Sequence, residues 1–386
     1  MEEDVKAIPI VVSGYNRRQS LARVLQSLNQ AIYRRADIPL YVSLDDGGAD
    51  GTLEVARAFQ WRHGPKSILP HSRPLGMREH AFKCMELPSE FEQLIFIEDD
   101  SYAGPEFYEF AVQVAHCVNV DEEVFAASLY SFDICEFDRL RFAPLQTGED
   151  AYLSKSASTW GILVDKRKWQ GFRDWYETNG QVETGALYVP DQVNFWPKTS
   201  WKKHLNRYLS AKGLSFIYPV NSHLTHFADR GTHYASSSAN FQVPFVHRRA
   251  EGSSRSARLN TNNMARYDEF WELIPDQGLI DAIGLEFEFD IRRLKRTTQL
   301  RSPYVITSRH IEKPLKSFGR DLFPLEANVL QGFQGTDLNL TSSDAIPNVT
   351  HPADAQEVRL YMKDLGTRRE ILLTADRLLR KLRLKN

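Results

Sequence analysis

Cysteine is scarce: Cys84, Cys117 and Cys135 are the three in 386 residues. An odd set without paired spacing excludes a disulfide framework and a paired-cysteine zinc site, and predicts a reducing, cytoplasmic setting. No apolar run reaches the length of a membrane span or a signal-peptide core. The opening Met1-Glu2-Glu3-Asp4-Val5-Lys6 is charged, so any membrane is expected to be met from its inner face. An excess of charge is missing too. A formal net charge of −2 leaves no overall basic balance of the kind a dedicated nucleic-acid binder shows. No internal repeat is visible. Ser13-Gly14-Tyr15-Asn16-Arg17-Arg18 lacks the glycine-rich, lysine-bearing pattern of a phosphate loop, which argues against nucleotidyl transfer on such a loop.

What is present suits a sizeable globular core: 42% hydrophobic and 25% charged residues, in a chain longer than one average domain. Ile8-Pro9-Ile10-Val11-Val12 reads as a strand buried on both faces. Ser20 to Leu28 carries leucine and valine at helical spacing, with Ser20 as the expected N-cap. Leu40-Tyr41-Val42-Ser43-Leu44 is a second strand, and a helix follows from Thr52 to Phe59. Leu94-Ile95-Phe96-Ile97 is a third strand, running directly into Glu98-Asp99-Asp100. Strands alternating with helices predict an α/β fold with a doubly wound, mostly parallel sheet. Ligands bind such sheets just beyond the carboxyl ends of the strands.

All three strand ends are polar. Three acids after an apolar strand are unfavourable unless positive charge sits against them, and a hard divalent ion would supply it. The structural alternatives are a solvated turn, or acids capping a helix near Pro105. After the first strand, Tyr15 could stack on a base and Arg17 meet phosphate, with Ser13 and Asn16 beside them. After the second, Asp45 could accept a hydrogen bond from base or ribose, although Asp45-Asp46-Gly47-Gly48 alone is a turn.

Together these segments resemble the GT-A glycosyltransferases of the N-acetylglucosaminyltransferase I type and their bacterial family 2-like relatives. Further segments follow in the same order: Leu75-Gly76-Met77-Arg78, then Ser158-Thr159-Trp160-Gly161 with Trp169, then Gly213 to Pro219 and Gly231-Thr232-His233. The resemblance covers roughly residues 8–235. It implies a GT-A fold and a Mn²⁺ or Mg²⁺ ion on Asp100, with Glu98 and Asp99 holding sugar, ribose or metal-bound water. Arg17, Asp45, Asp46 and Arg78 would bind the nucleoside diphosphate of a UDP-sugar. Trp160-Gly161 would face donor sugar or glycan acceptor, while Trp169 belongs to the core. His233 would reach diphosphate or metal, or serve the turn it sits in.

One position departs from that pattern. The family has an aspartate directly after the tryptophan of its acceptor loop, as the base for inverting transfer. Here Thr199-Ser200-Trp201-Lys202-Lys203-His204 puts Lys202 there, and a protonated lysine is a poor base. Asp191 is the first substitute, Glu183 the second, and His204 a third if its pKa lies near neutrality.

The expected organisation is a GT-A domain over 1–240, a Ser/Gly-rich linker over 241–263, and a C-terminal accessory region over 264–386 with mixed or helical structure. Glu286-Phe287-Glu288-Phe289 fits a helix or, by its alternation, a strand. The tail from Ala355 ends in a basic amphipathic helix around Leu372, Leu373, Leu379 and Leu382. Packing on the body or a partner is its expected role, and peripheral contact with an anionic membrane the alternative.

Overall fold

The structure, a computed structural model, describes residues 7–46, 51–87, 90–180, 188–227, 229, 241–247 and 256–346. Glu183, His233 and the basic C-terminal segment lie outside the described residues.

The chain opens β1 (Ile10–Gly14), α1 (Arg18–Gln30), β2 (Leu40–Leu44), α2 (Thr52–Ala58), β3 (Lys66–Pro70), α3 (Met77–Glu86) and β4 (Gln93–Glu98). β1 pairs in parallel with β2 and with β4, and β2 in parallel with β3. Ile10, Val11 and Val12 are fully buried, as a strand covered on both faces requires. β1 runs two residues past the expected Val12, because Ser13 and Gly14 still pair with Ser43 and Leu44. Likewise β4 takes in Glu98, held opposite Ser13. α1 starts before Ser20, so that residue is not its cap. The Ser20 hydroxyl instead donates to Asp229 Oδ2 at 2.8 Å.

The middle of the chain gives β5 (Ser101–Ala103), α4 (Phe107–Val120), β6 (Val124–Ser128), β7 (Ala151–Ser154), β8 (Ile162–Asp165), α5 (Lys166–Asn179), α6 (Asp191–Phe195), α7 (Trp201–Lys212), β9 (Ser215–Pro219) and β10 (Leu224–His226). Local chemistry sets several of these boundaries. Asp165 accepts from the Arg167 and Lys168 amides and so caps α5. Ser200 caps α7 by accepting from Lys203, and Gly213 ends that helix in the left-handed conformation.

After these come β11 (Arg266–Tyr267), α8 (Gln277–Ile283), β12 (Phe287–Asp290), β13 (Tyr304–Thr307), β14 (Lys316–Phe318), α9 (Glu326–Leu330) and β15 (Leu338–Ser342). The large sheet has the order β11-β7-β9-β6-β8-β4-β1-β2-β3, mostly parallel, with β8 antiparallel to β4 and β6, and β7 antiparallel to β9. The fold is therefore α/β, as expected. A separate four-stranded sheet, β12-β13-β15-β14, follows in the C-terminal region. The described parts of the expected linker pack against what precedes them. Phe241 and Val243 are buried, and Val246 donates to the Ser222 carbonyl.

The Glu/Phe alternation resolves as strand β12. Phe287 and Phe289 join the apolar core, and the acids that alternate with them, Glu288 and Asp290, are neutralised by buried cations. Lys295 Nζ lies 2.6 Å from Glu288 and 2.7 Å from Asp268, and Arg309 lies 3.0 Å from Asp290. Two buried faces of opposite character explain why neither simple periodicity decided this segment.

Candidate metal and nucleotide site

β2 and β3 lie on one side of β1, and β4 lies on the other. The strand order reverses between β1 and β4, which is where an open α/β sheet forms its ligand crevice. Arg17, just past the end of β1, and Glu98-Asp99-Asp100, at and past the end of β4, meet there. Arg17 Nη1 donates to Asp100 Oδ2 at 2.6 Å, and its Nη2 and Nε reach the two oxygens of Asp99. Asp99 and Asp100 are both buried. Tyr15 is 40% exposed and stands at the rim with Asn16.

A residue the sequence reading missed completes the group. β10 pairs with β5 in antiparallel register, His226 opposite Ser101, and Phe227 donates to the Asp100 carbonyl at 2.8 Å. That register sets His226 Nε2 3.0 Å from Asp100 Oδ1. Glu98, Asp100 and His226 each offer a donor atom, all within 4.8 Å of one another. No local signal marks His226, since its position depends on the pairing of two three-residue strands.

The electrostatics show what such a group demands. Burial, and then the Asp100 charge, push Glu98 up to about 8. Burial also lifts Asp99, to about 7, against the pull of Arg17. Burial acts upward on Asp100 as well, but His226 and Arg17 outweigh it and hold Asp100 well below the usual carboxylate range. Asp100 Oδ1 is buried and accepts no hydrogen bond. A divalent ion with oxygen and nitrogen ligands at about 2.0–2.2 Å holds adjacent ligands about 3 Å apart. The 3.0 Å between Asp100 Oδ1 and His226 Nε2 fits that spacing. The donor set is two carboxylates plus one imidazole, a combination that a divalent metal ion can take.

Behind His226 lies Trp160, its ring stacked at 4.2 Å and 22°. Trp160 is 8% exposed and also packs on Tyr130, Phe132 and Phe241. Little of it is left exposed, and His226 stacks on its ring. Gly161 holds a backbone conformation of φ +73°, and a Cβ there would lie 2.6 Å from Leu224 Cδ1 on the strand that carries His226. Its part is to let β10 approach. Trp169 lies in the core against Phe82, Phe172 and Trp201.

On the β2 side, Asp45 Oδ1 accepts from the Leu75 amide at 2.8 Å and Oδ2 from the Gly76 amide at 2.9 Å. Asp45 thus shapes the loop before α3, whereas Asp46 is exposed. Beneath it, Ser43 Oγ lies 2.9 Å from His80 Nε2 and 3.1 Å from His71 Nε2. Arg78 does not reach the acids by any described contact. Its Nη1 donates to the Lys198 carbonyl at 2.8 Å.

Of the expected bases, Asp191 and His204 lie among the described residues. Asp191 begins α6, with Arg296 Nη2 3.5 Å away. His204 lies on the buried face of α7. It is 3% exposed, its Nε2 is bonded to the Lys198 carbonyl at 3.0 Å, and burial lowers its pKa. Lys202 turns inward, with Nζ 2.6 and 2.5 Å from the two oxygens of Glu136 and 5.4 Å from the Trp160 ring centre.

No protein-family model matches the chain, nor does any curated protein. Solved structures that it resembles include a fragment of S. aureus TarS in complex with UDP-GlcNAc, at 11% identity and a TM-score of 0.40 over 60% of this chain and 62% of that one. The Pyrobaculum calidifontis mannosyltransferase PcManGT, in complex with GDP-Man and Mn²⁺, is 12% identical over 56% of this chain and 55% of that one, with a TM-score of 0.37. An active-site mutant of LgtC is 13% identical over 55% of this chain and 72% of that one, with a TM-score of 0.33. The chain spans about 60% of the length of the TarS fragment. At identities and superpositions this low, function has to be read from the chain's own residues. Among the described residues, no helix is long and apolar enough to cross a membrane.

Proposed function

We propose that this chain is a metal-dependent glycosyltransferase of the GT-A type, moving a sugar with inversion from a nucleoside diphosphate to a glycan hydroxyl. UDP-N-acetylglucosamine is the first donor to try, and bacterial surface polysaccharide synthesis the proposed setting. The carrying observation is the buried Asp100 Oδ1, without a hydrogen bond and 3.0 Å from His226 Nε2, at the point where the strand order reverses. Glu98, Asp100 and His226 would hold Mn²⁺ or Mg²⁺, which as a Lewis acid stabilises negative charge on a leaving diphosphate. Arg17 supplies a second fixed positive charge beside the same acids, suited to a phosphate oxygen. Tyr15, exposed at the rim, offers a face for the base, and the Asp45-held loop at Leu75-Gly76 borders the diphosphate side.

The test is release of nucleoside diphosphate from UDP-N-acetylglucosamine, other UDP-sugars and GDP-mannose, with Mn²⁺ and with chelator. Release should need the ion and should be lost in Asp100→Ala. Release indifferent to both would sink the proposal.

A second reading is a binding module that keeps the nucleotide pocket without turnover. Lys202 in place of a carboxylate is the observation that favours it. Calorimetry showing tight UDP binding, with no transfer to any acceptor, would support that reading.

A further inference from the structure

A groove opens at one end of the C-terminal sheet, and none of its lining residues belongs to the group around Asp100. It holds about 770 Å³ between two walls. One wall comes from residues 297–304, leading into β13, and the other from residues 342–346, at and past the end of β15. That volume is in the range of ligand sites. We propose that the groove binds a neutral oligosaccharide, as the stretch of the acceptor glycan away from the reacting hydroxyl. The part in transfer rests on the glycosyltransferase reading above, whereas the binding of sugar does not.

The lining carries hydrogen-bonding groups that the fold itself does not use. Among the described residues, the Arg301 guanidinium, the hydroxyls of Ser302, Tyr304 and Ser342, and the Asp344 carboxylate make no hydrogen bond or ion pair. Arg301 and Asp344 are exposed, and the other three are half-buried. A guanidinium presents a fork of donors and a carboxylate two acceptor oxygens, so each can meet two neighbouring hydroxyls of a sugar ring at once. The Tyr304 ring adds an apolar face beside its polar tip.

Both walls are fixed before any ligand arrives. Buried Glu288 accepts from the amides of Arg301 and Ser302, the latter at 2.8 Å, and its other oxygen is held by Lys295 at 2.6 Å. Tyr304 stands opposite Ser342 in the antiparallel pairing of β13 with β15. Ser343 then clamps one wall to the other. Its amide donates to the Pro303 carbonyl at 3.0 Å, and its hydroxyl to the Ser302 carbonyl at 2.5 Å. The Arg301 guanidinium lies over the Tyr188 ring, 3.4 Å from its centre. An arginine stacked in this way loses less freedom on binding than a free one.

Charge decides among the ligand classes. One cation and one anion, Arg301 and Asp344, line the groove among neutral hydroxyls, so no net field selects a phosphate or a nucleic-acid backbone. An apolar ligand would cover these polar groups without pairing them, which is unfavourable. A sugar chain brings hydroxyls to the polar groups and C–H surface to Tyr304 and Pro303.

The experiment titrates the full chain, without nucleotide or metal, with tetrasaccharides of N-acetylglucosamine, glucose and mannose, read by calorimetry. At least one should bind with a Kd of about 1 mM or tighter. Arg301→Ala combined with Asp344→Asn should weaken that binding by about tenfold or more, while UDP affinity with Mn²⁺ stays within about threefold. Asp344→Asn alone should weaken it by about threefold, and this exposed, unbonded position keeps the test readable if the arginine variant fails to fold. With a nucleoside diphosphate sugar that turns over, the double variant should raise KM for the tetrasaccharide acceptor and leave kcat within about threefold. No binding of any tetrasaccharide, or equal binding by wild type and variants, overturns the proposal. Displacement of the sugar by UDP with Mn²⁺ would put it in the donor site, and displacement by inorganic phosphate would make the groove an anion site. Either result overturns it as well. An unchanged KM removes the acceptor role. Sugar binding that the variants lose, in a chain that releases no nucleotide from any donor, keeps the groove and removes the glycosyltransferase reading. Metal-dependent release without sugar binding does the reverse.

Discussion

His226 Nε2 stands 3.0 Å from Asp100 Oδ1, and a strand pairing rather than chain proximity puts it there. If the two residues share an ion, His226→Ala should remove a ligand without disturbing the acids. Mn²⁺ affinity, read by titration calorimetry or by the loss of the free-ion paramagnetic resonance signal, should fall by at least about tenfold, since even outer partners of metal ligands cost that much. Unchanged affinity would remove His226 from the site.

Arg17 is a positive charge that Asp99 and Asp100 have without an ion. It pairs with Asp100 at 2.6 Å and with Asp99. Arg17→Met keeps much of the volume and leaves buried carboxylates uncompensated, a loss of about 3–5 kcal/mol for a broken buried pair. A divalent ion supplies charge to the same carboxylates. Urea unfolding of Arg17→Met should therefore show a large deficit in chelator and a clearly smaller one in Mn²⁺. Equal deficits in the two conditions would mean that the ion and Arg17 do not act on one cluster.

The parts of this site legible in the sequence are those fixed locally. Strands β1, β2 and β4 are short apolar runs ending in polar residues, so their positions and the placing of Arg17 and Glu98-Asp99-Asp100 followed from periodicity and the crevice rule. What was not legible depends on distant pairing. His226 reaches the acids only through β10 against β5, and Glu136 reaches Lys202 only by packing. Conversely, Arg78 and His204 carry suitable side chains, but both are bonded to the Lys198 carbonyl, where they hold the segment before α7 in place. Asp45 was singled out for a nucleotide contact, and the structure shows its oxygens on the Leu75 and Gly76 amides. Residue type indicated a chemistry at these positions, and the contacts each side chain makes depend on tertiary partners that local sequence does not show.

Gly161 tests the link between local backbone and the metal donors. Its φ of +73° is costly for a residue with a side chain, by about 1–2 kcal/mol. A Cβ would also lie 2.6 Å from Leu224 Cδ1, two positions before His226 on β10. Gly161→Ala should therefore lower stability by about 2 kcal/mol or more and weaken Mn²⁺ binding together, as β10 gives way. Lower stability with full Mn²⁺ affinity would show that β10 does not transmit the strain.

His80 gives a pH prediction whose sign is fixed by burial. It lies beneath Asp45, bonded to Ser43, and loss of water pushes its pKa down from 6.5 to about 4, against the pull of Asp45 and aided by His71. The unfolded chain binds the proton first. Above pH 6.5 both states are neutral at this position, and stability does not change on its account. As pH falls from 6.5 towards 4 the unfolded state is favoured, and the loss is complete below the folded value, at about 3 kcal/mol. Glu98 and Asp99, whose pKa values are raised, contribute with the opposite slope, so the total curve cannot be read alone. The difference between wild type and His80→Gln in urea unfolding isolates the histidine. Their separation should shrink by about 3 kcal/mol between pH 7 and pH 4, whatever its starting value. Parallel curves across that window would show that His80 takes up its proton as easily in the folded chain as in the unfolded one.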